Sequence, residues 1–178
     1  HPFRTLPDGY ATYNATDAAL AGAARQDVER DRRLEPGEEP RIRAAILAGV
    51  LPRKQRPRVL EHPADLLADF DLALETGMRM RERYTLSCDQ VDLRGRQVVL
   101  EQTKNGDSRE VPLSSVALRV LGEQLARREG ERWLWPWFDG DFRPYALKMR
   151  SNWLSKLYAD LFAAAGCPDL REHDLRHE

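Results

Sequence analysis

The sequence predicts an α+β domain that is mostly α-helical, with helices packed around a small antiparallel sheet of about three strands. Three observations lead to this prediction. Apolar residues recur every three or four positions in several segments, as they do on the buried face of a helix. Two short β-type segments flank an Asn-Gly dipeptide, which favours a hairpin. The 178 residues, of which 42% are hydrophobic, are enough for one domain with a buried core.

Two helices are expected in the first half of the domain. The first begins near Pro36 or just after Pro40 and ends at Gly49. The second begins at Pro63 and ends at Gly77, because proline is tolerated in a first helical turn and glycine suits a C-terminal cap. Their buried stripes are Ile42, Ala45 and Ile46 in the first, and Leu66, Phe70 and Leu74 in the second. A short helix should follow.

The middle of the chain is predicted to form the sheet. Residues 97–103 and 109–113 flank the Asn-Gly dipeptide at 105–106, and both of its residues accept positive φ in a tight turn. An earlier turn at 92–95 allows one more strand. Pro112 has no N–H to donate, so it suits an edge strand or a strand end.

Helices resume after the sheet. Ser114 or Ser115 is expected to cap the next helix. The longest helix should span roughly Pro144 to Ala165, and a last helix begins near His173. The aromatic run between these helices, Trp133-Leu134-Trp135-Pro136-Trp137-Phe138, is interpreted as core packing under a loop rather than as a surface for base stacking.

Composition and charge exclude some classes of protein. No apolar run approaches the ~20 residues that span a bilayer, and the first residues lack the pattern of a signal peptide. Cys88 and Cys167 show neither metal-ligand spacing nor a disulfide framework, which indicates a reduced, cytoplasmic compartment. Residues 1–30 lack sustained periodicity and are interpreted as a linker that precedes a domain at 31–178.

The formal net charge is only −1, but the charges are segregated along the sequence. The stretches 41–58 and 142–159 each contain several cations and no acid. They are either solvated faces or surfaces that contact the phosphates of a nucleic acid. The candidate phosphate contacts are Arg53, Lys54, Arg56, Lys148, Arg150 and Lys156.

Three short signatures occur in a fixed order, at 76–82, 103–106 and 173–177. Their cations and histidine suit the exchange of a phosphodiester bond. Arginine forks neutralise the two non-bridging oxygens, a lysine protonates the leaving oxygen, and a histidine exchanges a proton with the attacking hydroxyl. The residues concerned are Arg79, Lys104, His173 and Arg176. This set needs neither a metal nor a cofactor.

The order and context of these signatures resemble the catalytic domain of the tyrosine recombinases, the phage integrase family, across nearly all of residues 31–178. The resemblance implies an integrase-type fold. It also assigns roles at six positions. Arg79 matches the first catalytic arginine, Glu82 the acidic residue after it, and Lys104 the hairpin lysine. His173 and Arg176 match the HxxR box, and His177 matches the histidine that often follows that box. Arg83 is a departure, since this position is usually apolar in the family.

The resemblance implies that the intact protein performs site-specific DNA recombination, integrating or excising a mobile element. In this family a tyrosine attacks the DNA and forms a 3′-phosphotyrosyl link, without a cofactor or a small-molecule substrate. The nucleophilic tyrosine of the family follows the HxxR box, whereas all five tyrosines here precede it. We therefore expect the nucleophile beyond Glu178, a catalytic domain that is incomplete at its C-terminus, and a fragment that is inactive in cleavage.

The implied partners are double-stranded DNA and other protomers of the same recombinase on DNA. The fragment itself is expected to be monomeric, encoded by a bacterium or phage, and preceded by an N-terminal DNA-binding domain. Three alternatives stay open. A type IB topoisomerase-like enzyme would nick and close DNA by the same chemistry, and an inactive integrase remnant would only bind DNA or a partner. An ordinary interaction domain would place the four cationic side chains far apart.

Overall fold

The computed structural model describes residues 32–100 and 108–177, except for the side chain of His177. The proposed linker at 1–30 lies outside the described residues. The same holds for residues 101–107, which include Lys104 and the Asn-Gly dipeptide.

Helices dominate the described part of the chain, and short strands occupy its middle, which confirms the predicted fold class. The elements are, in order, α1 (Glu38–Ala48), β1 (Val50–Leu51), β2 (Arg58–Val59), α2 (Pro63–Thr76), α3 (Met80–Tyr84), a 3₁₀ helix (Cys88–Gln90), β3 (Val91–Asp92), β4 (Gln97–Leu100), β5 (Arg109–Pro112), α4 (Ser115–Arg127), α5 (Pro144–Ala164) and a second 3₁₀ helix (Glu172–His177).

The helix boundaries follow the local signals. Helix α2 begins at Pro63 and is capped by Gly77, whose φ of 58° is left-handed. Ser114 caps α4, because its hydroxyl accepts a hydrogen bond from the backbone N–H of Ala117 at 3.1 Å. The segment that begins near His173 is a 3₁₀ helix of six residues rather than an α-helix. Residues at i and i+3 eclipse one another in a 3₁₀ helix, so His173 and Arg176 still share a face.

The predicted three-stranded sheet is present, with the antiparallel order β3-β4-β5. Leu100 pairs with Arg109, so β4 and β5 meet at either side of the predicted hairpin turn. A second sheet was not predicted: β1 and β2 form an antiparallel pair with Val50 opposite Val59. Strands of two residues are too short to show the alternation by which a strand is recognised in a sequence.

The core lies between α2, α4, α5 and the loop that joins the last two. Helix α2 packs against α1, α3, α4 and the C-terminal 3₁₀ helix. Phe70, Leu121 and Phe162 are fully buried, and each such side chain contributes about 1.5–3 kcal/mol through burial. The rings of Trp135 and Trp137 stack with centroids 5.3 Å apart inside this core. The interpretation of the aromatic run as core packing is therefore confirmed.

Candidate active site

The junction between α2 and α3 sets the direction of the Arg79 side chain. Gly77 ends α2 in a left-handed conformation, and Met78 is buried beneath the junction. Arg79 is then the extended N-cap residue of α3, and its backbone N–H donates to the Glu82 carboxylate at 2.8 Å. This reciprocal cap satisfies a donor that the first turn of a helix leaves open. The Arg79 side chain remains 49% exposed.

The Glu82 carboxylate holds two guanidinium groups. Arg79 Nη1 donates to one of its oxygens at 2.9 Å, and Arg109 Nη2 donates to the other at 2.6 Å. Burial would raise the pKa of the Glu82 carboxyl, but the hydrogen bonds from Arg79 and Arg109 outweigh it and hold the pKa below its ordinary value. Glu82 is therefore ionised at neutral pH and binds both cations.

Arg176 reaches the same junction from the end of the described chain. Its Nε donates to the carbonyl oxygen of Gly77 at 2.8 Å. Burial lowers the pKa of the Arg176 guanidinium, and the positive charge of Arg79 lowers it further. An arginine still remains protonated at any working pH. Two arginines that are distant in sequence thus place their charges at one site, whereas an ordinary interaction domain would have separated them.

The other predicted catalytic residues are described only in part. His173 is exposed and lies one 3₁₀ turn before Arg176. His177 ends the same helix, but its side chain is outside the described atoms, as is the whole of Lys104. The structure thus brings together Arg79, Glu82 and Arg176, with His173 on the adjoining turn. The catalytic roles of all six residues stay predictions.

Two arginines near this site were missed from the sequence. Arg109 lies two residues before the buried Val111 on β5, and this alternation places it on the inner face of the sheet. That period was a usable signal that Arg109 lies beside the candidate site. Arg83 is completely buried beside the junction, and the signal for it was an arginine at a position that is usually apolar in the family.

The first set of basic residues lies beside the C-terminal half of α5. Arg53, Lys54 and Arg56 are exposed in the loop between β1 and β2, and they line an open cleft together with Asp160. Arg53 approaches the Asp160 carboxylate to 3.6 Å, so part of its charge is neutralised. The exposed cations of this loop can still contact phosphate groups.

The second set of basic residues lies on α5 itself. Lys148 and Lys156 are exposed, and the Arg150 guanidinium lies over the Trp153 ring at 5.7 Å. Residues 150, 153, 156 and 160 follow helical spacing and therefore share a side of α5. Asp160, on that side, contacts the β1–β2 loop, so the two basic sets adjoin one another. DNA binding by both sets stays a prediction.

Two of the described tyrosines have buried phenol rings. Tyr84 donates its hydroxyl to the carbonyl oxygen of Leu147 at 3.0 Å, and Tyr158 donates to Asp69 at 2.7 Å. Burial and the adjacent Asp69 charge raise the pKa of Tyr158 well above its ordinary value. A buried, neutral phenol is a poor nucleophile. Tyr145 is exposed in the first turn of α5, and Tyr10 and Tyr13 lie outside the described residues.

Neither a membrane-spanning helix nor a metal-binding cluster is found among the described residues. Among the helices at 32–100 and 108–177, none combines the length and apolarity that a membrane span requires. Within the same ranges, no cluster of three or more His, Cys, Asp or Glu side chains has the arrangement of a metal site.

Known proteins resemble this chain in sequence and in fold. The "Shufflon-specific DNA recombinase" of Escherichia coli is 34% identical over 151 residues, which cover 84% of this chain and 32% of that protein. The XerA recombinase superimposes with a TM-score of 0.58 at 19% identity, over 86% of this chain and 50% of that one. The XerH site-specific recombinase, bound to its difH substrate, gives a TM-score of 0.57 at 17% identity, over 88% and 43%.

These likenesses differ in what they establish. The structural matches are below 25% identity and show a common fold. The chain spans only about a third of the length of the curated relative, since the aligned residues cover 32% of that protein. The model of the phage integrase family matches residues 50–178, which is most of the chain and includes the whole site described above. The shared fold and this match together show that the chain belongs to the phage integrase family, the tyrosine recombinases.

Proposed function

We propose that the intact protein is a tyrosine-type site-specific DNA recombinase that integrates or excises a mobile element. The observation that carries the proposal is the convergence of Arg79 and Arg176 at the α2–α3 junction, where the charge of one lowers the pKa of the other. Two guanidinium groups that repel one another are held together at an exposed site, and a bound phosphate diester would relieve that repulsion. The family and the DNA-bound state of XerH also support a DNA substrate.

The proposed reaction is a transesterification in which the number of phosphodiester bonds is conserved. A tyrosine oxygen bonds to phosphorus, the bond from phosphorus to the deoxyribose 5′-oxygen breaks, and a strand hydroxyl later reverses the step. Arg79 and Arg176 neutralise the non-bridging oxygens, with His177 beside them. His173 takes the tyrosine proton, and Lys104 supplies a proton to the 5′-oxygen. Glu82 keeps Arg79 in place.

The tyrosine is expected outside this chain. The family places it after the HxxR box, and the hydroxyls of Tyr84 and Tyr158 are engaged in the core. Residues 1–178 alone should therefore bind DNA without cleaving it and remain monomeric, whereas the intact enzyme assembles with other protomers on DNA. We place residues 1–30 between this domain and an N-terminal DNA-binding domain, and the enzyme in the bacterial cytoplasm. The two basic sets beside α5 would contact the DNA backbone.

A suicide DNA substrate, which traps the covalent intermediate, tests the proposal. The full-length protein should form an adduct and the chain of 178 residues should form none. Arg176→Ala in the full-length protein should slow adduct formation by about 10²–10³-fold, as the loss of an oxyanion-stabilising donor does. The matched control is Arg119→Ala, which removes an exposed arginine that pairs with Glu123 on α4. An adduct from the short chain, or equal losses in both variants, would contradict the proposal.

Experiments with the full-length protein also distinguish the two alternative functions. A topoisomerase-like enzyme would relax supercoiled plasmid that carries no recombination site. An inactive remnant would bind DNA with an affinity that falls as salt is added, yet would form no covalent adduct at full length. Recombination between two matched sites, without relaxation of an unmatched plasmid, is the outcome that we expect.

A further inference from the structure

Arg83 is the least expected buried residue of the domain. Its side chain is 0% exposed, although arginine is almost never buried without partners. A buried cation is unfavourable unless carboxylates and hydrogen bonds compensate for its lost hydration. The contacts of Arg83 must therefore compensate for the hydration that its guanidinium loses in the core.

All three guanidinium nitrogens of Arg83 are used. Nη1 donates to the carbonyl oxygen of Met78 at 3.0 Å, and Nε donates to Asp69 Oδ1 at 2.9 Å. Nη2 donates to Glu172 Oε1 at 2.6 Å and lies 3.4 Å from Asp69 Oδ2. Burial would lower the pKa of this guanidinium, but the charges of Asp69 and Glu172 more than compensate and raise it. One planar fork thus binds three separate segments of the chain.

Two of these segments carry the candidate catalytic residues. Met78 immediately precedes Arg79, and Glu172 immediately precedes His173. The third partner, Asp69, belongs to α2 and is itself fixed by the Tyr158 hydroxyl of α5 at 2.7 Å. Arg83 therefore joins the backbone at the first signature to the helix of the last signature, and anchors both to the buried α2.

We propose that Arg83 is a positioning residue of the catalytic site, which holds the Arg79 segment and the 172–177 helix at a fixed separation. Because its guanidinium is inaccessible to solvent, it acts through these segments and not by touching DNA. The catalytic part of this proposal rests on the proposed recombinase function. The structural part, that Arg83 orders the 172–177 helix, stands independently of it.

The alternative is that Arg83 contributes only to the stability of the core. Arg83→Lys distinguishes the two, because one ammonium group keeps the charge but cannot reach Met78, Asp69 and Glu172 at the same time. A matched control is Leu121→Ala, which removes buried volume from α4 and lowers stability at a position outside both signatures. Both variants are compared with wild type well below their melting temperatures.

Hydrogen exchange in the absence of DNA tests the structural part. Amides of residues 172–177 should exchange about 10-fold faster in Arg83→Lys than in wild type, while those in Leu121→Ala should be unchanged at this helix. Should Arg83→Lys fail to fold, Glu172→Gln removes one partner's charge and should increase exchange in the same helix by a smaller factor. Equal exchange at 172–177 in wild type and variant would overturn the proposal.

Single-turnover cleavage by the full-length protein at saturating DNA tests the catalytic part. Arg83→Lys should slow cleavage by about 10–100-fold, because misplacement of a catalytic group by an ångström has effects of this size. Its DNA affinity should change less than about 3-fold, since the backbone contacts are intact. A cleavage rate equal to that of Leu121→Ala would overturn the positioning role. If wild type itself forms no adduct, the recombinase function fails, and the exchange measurement still decides the structural part.

Discussion

Glu82→Gln should separate the two arginines that the carboxylate now holds. Glu82 is only 10% exposed and accepts three hydrogen bonds from Arg79 and Arg109. The glutamine has the same size but only one acceptor oxygen, and its amide N–H groups would face N–H donors. Arg79 and Arg109 would then repel one another and Arg176 without an intervening negative charge.

The size of the effect follows from these contacts. The glutamine has one acceptor oxygen in place of two, so at least one hydrogen bond from an arginine side chain is lost, which is worth about 1 kcal/mol. The ion pairs contribute about 0–1 kcal/mol each, because the Arg79 and Arg109 side chains are 49% and 41% exposed and therefore screened. A total of about 2 kcal/mol corresponds to a fall in Tm of roughly 4–8 °C for a domain of this size.

Acidification provides an internal check on this reasoning. The pKa of Glu82 is lower in the folded state than in the unfolded state, so the folded state favours the ionised form. Its contribution is complete above the unfolded pKa of about 4.3 and disappears as the pH falls through the lower, folded value. The difference in Tm between wild type and Glu82→Gln should therefore be largest at neutral pH and shrink in acid.

Thermal unfolding followed by circular dichroism across pH measures both effects. Glu123→Gln is the matched control, because Glu123 is 54% exposed and pairs with Arg119 along α4. We expect this control to change the free energy of unfolding by less than about 0.5 kcal/mol. A Tm for Glu82→Gln that equals that of wild type at neutral pH, or a difference that persists in strong acid, would refute the reasoning.

Three further predictions concern backbone, charge and DNA binding. Gly77→Ala should lower the free energy of unfolding by about 1–2 kcal/mol, measured by thermal unfolding, because φ is 58° there. The new Cβ would lie 3.8 Å from the Arg176 carbonyl oxygen, so backbone strain and not a steric clash is responsible. Glu38→Gln should reduce the loss of stability in acid, since the bond from Arg32 lowers the pKa of the buried Glu38; an unchanged pH profile would contradict this. Arg56→Ala should weaken DNA binding equally for all sequences and reduce the salt slope by about 0.9; an unchanged slope in a filter-binding titration would remove Arg56 from the interface.

Local rules account for the elements that the sequence predicted well. Pro63 and Gly77 bound α2 because each acts on its own backbone, through a missing N–H and an accessible left-handed φ. The aromatic run at 133–138 lies in the core because apolar area favours burial whatever its neighbours are. The order of the three signatures was likewise visible in the chain and predicted the family, which the match over residues 50–178 confirms.

Local rules could not predict the contacts between residues that are distant along the chain. The β1–β2 pair consists of two residues on each strand, so its stability comes from packing beside α5 rather than from β-propensity. Arg109 was visible as a residue of β5, but its bond to Glu82 on α3 depends on how the sheet lies against that helix. Burial of Arg83 was unexpected because a charge is stable in a core only when its partners arrive there too.

Residue types and their spacing were enough to predict the chemistry of this polypeptide: arginines for a phosphate, a carboxylate to hold them, and a histidine to exchange a proton. Which groups meet was settled by the packing of α2 against α3 and the C-terminal helix. The hydrogen bond from Arg176 to Gly77 and the fork of Arg83 join residues that are distant along the chain. Hydrophobic burial is nondirectional, so the apolar pattern of the sequence does not specify which polar groups meet. These contacts are determined only by the packing of the complete core.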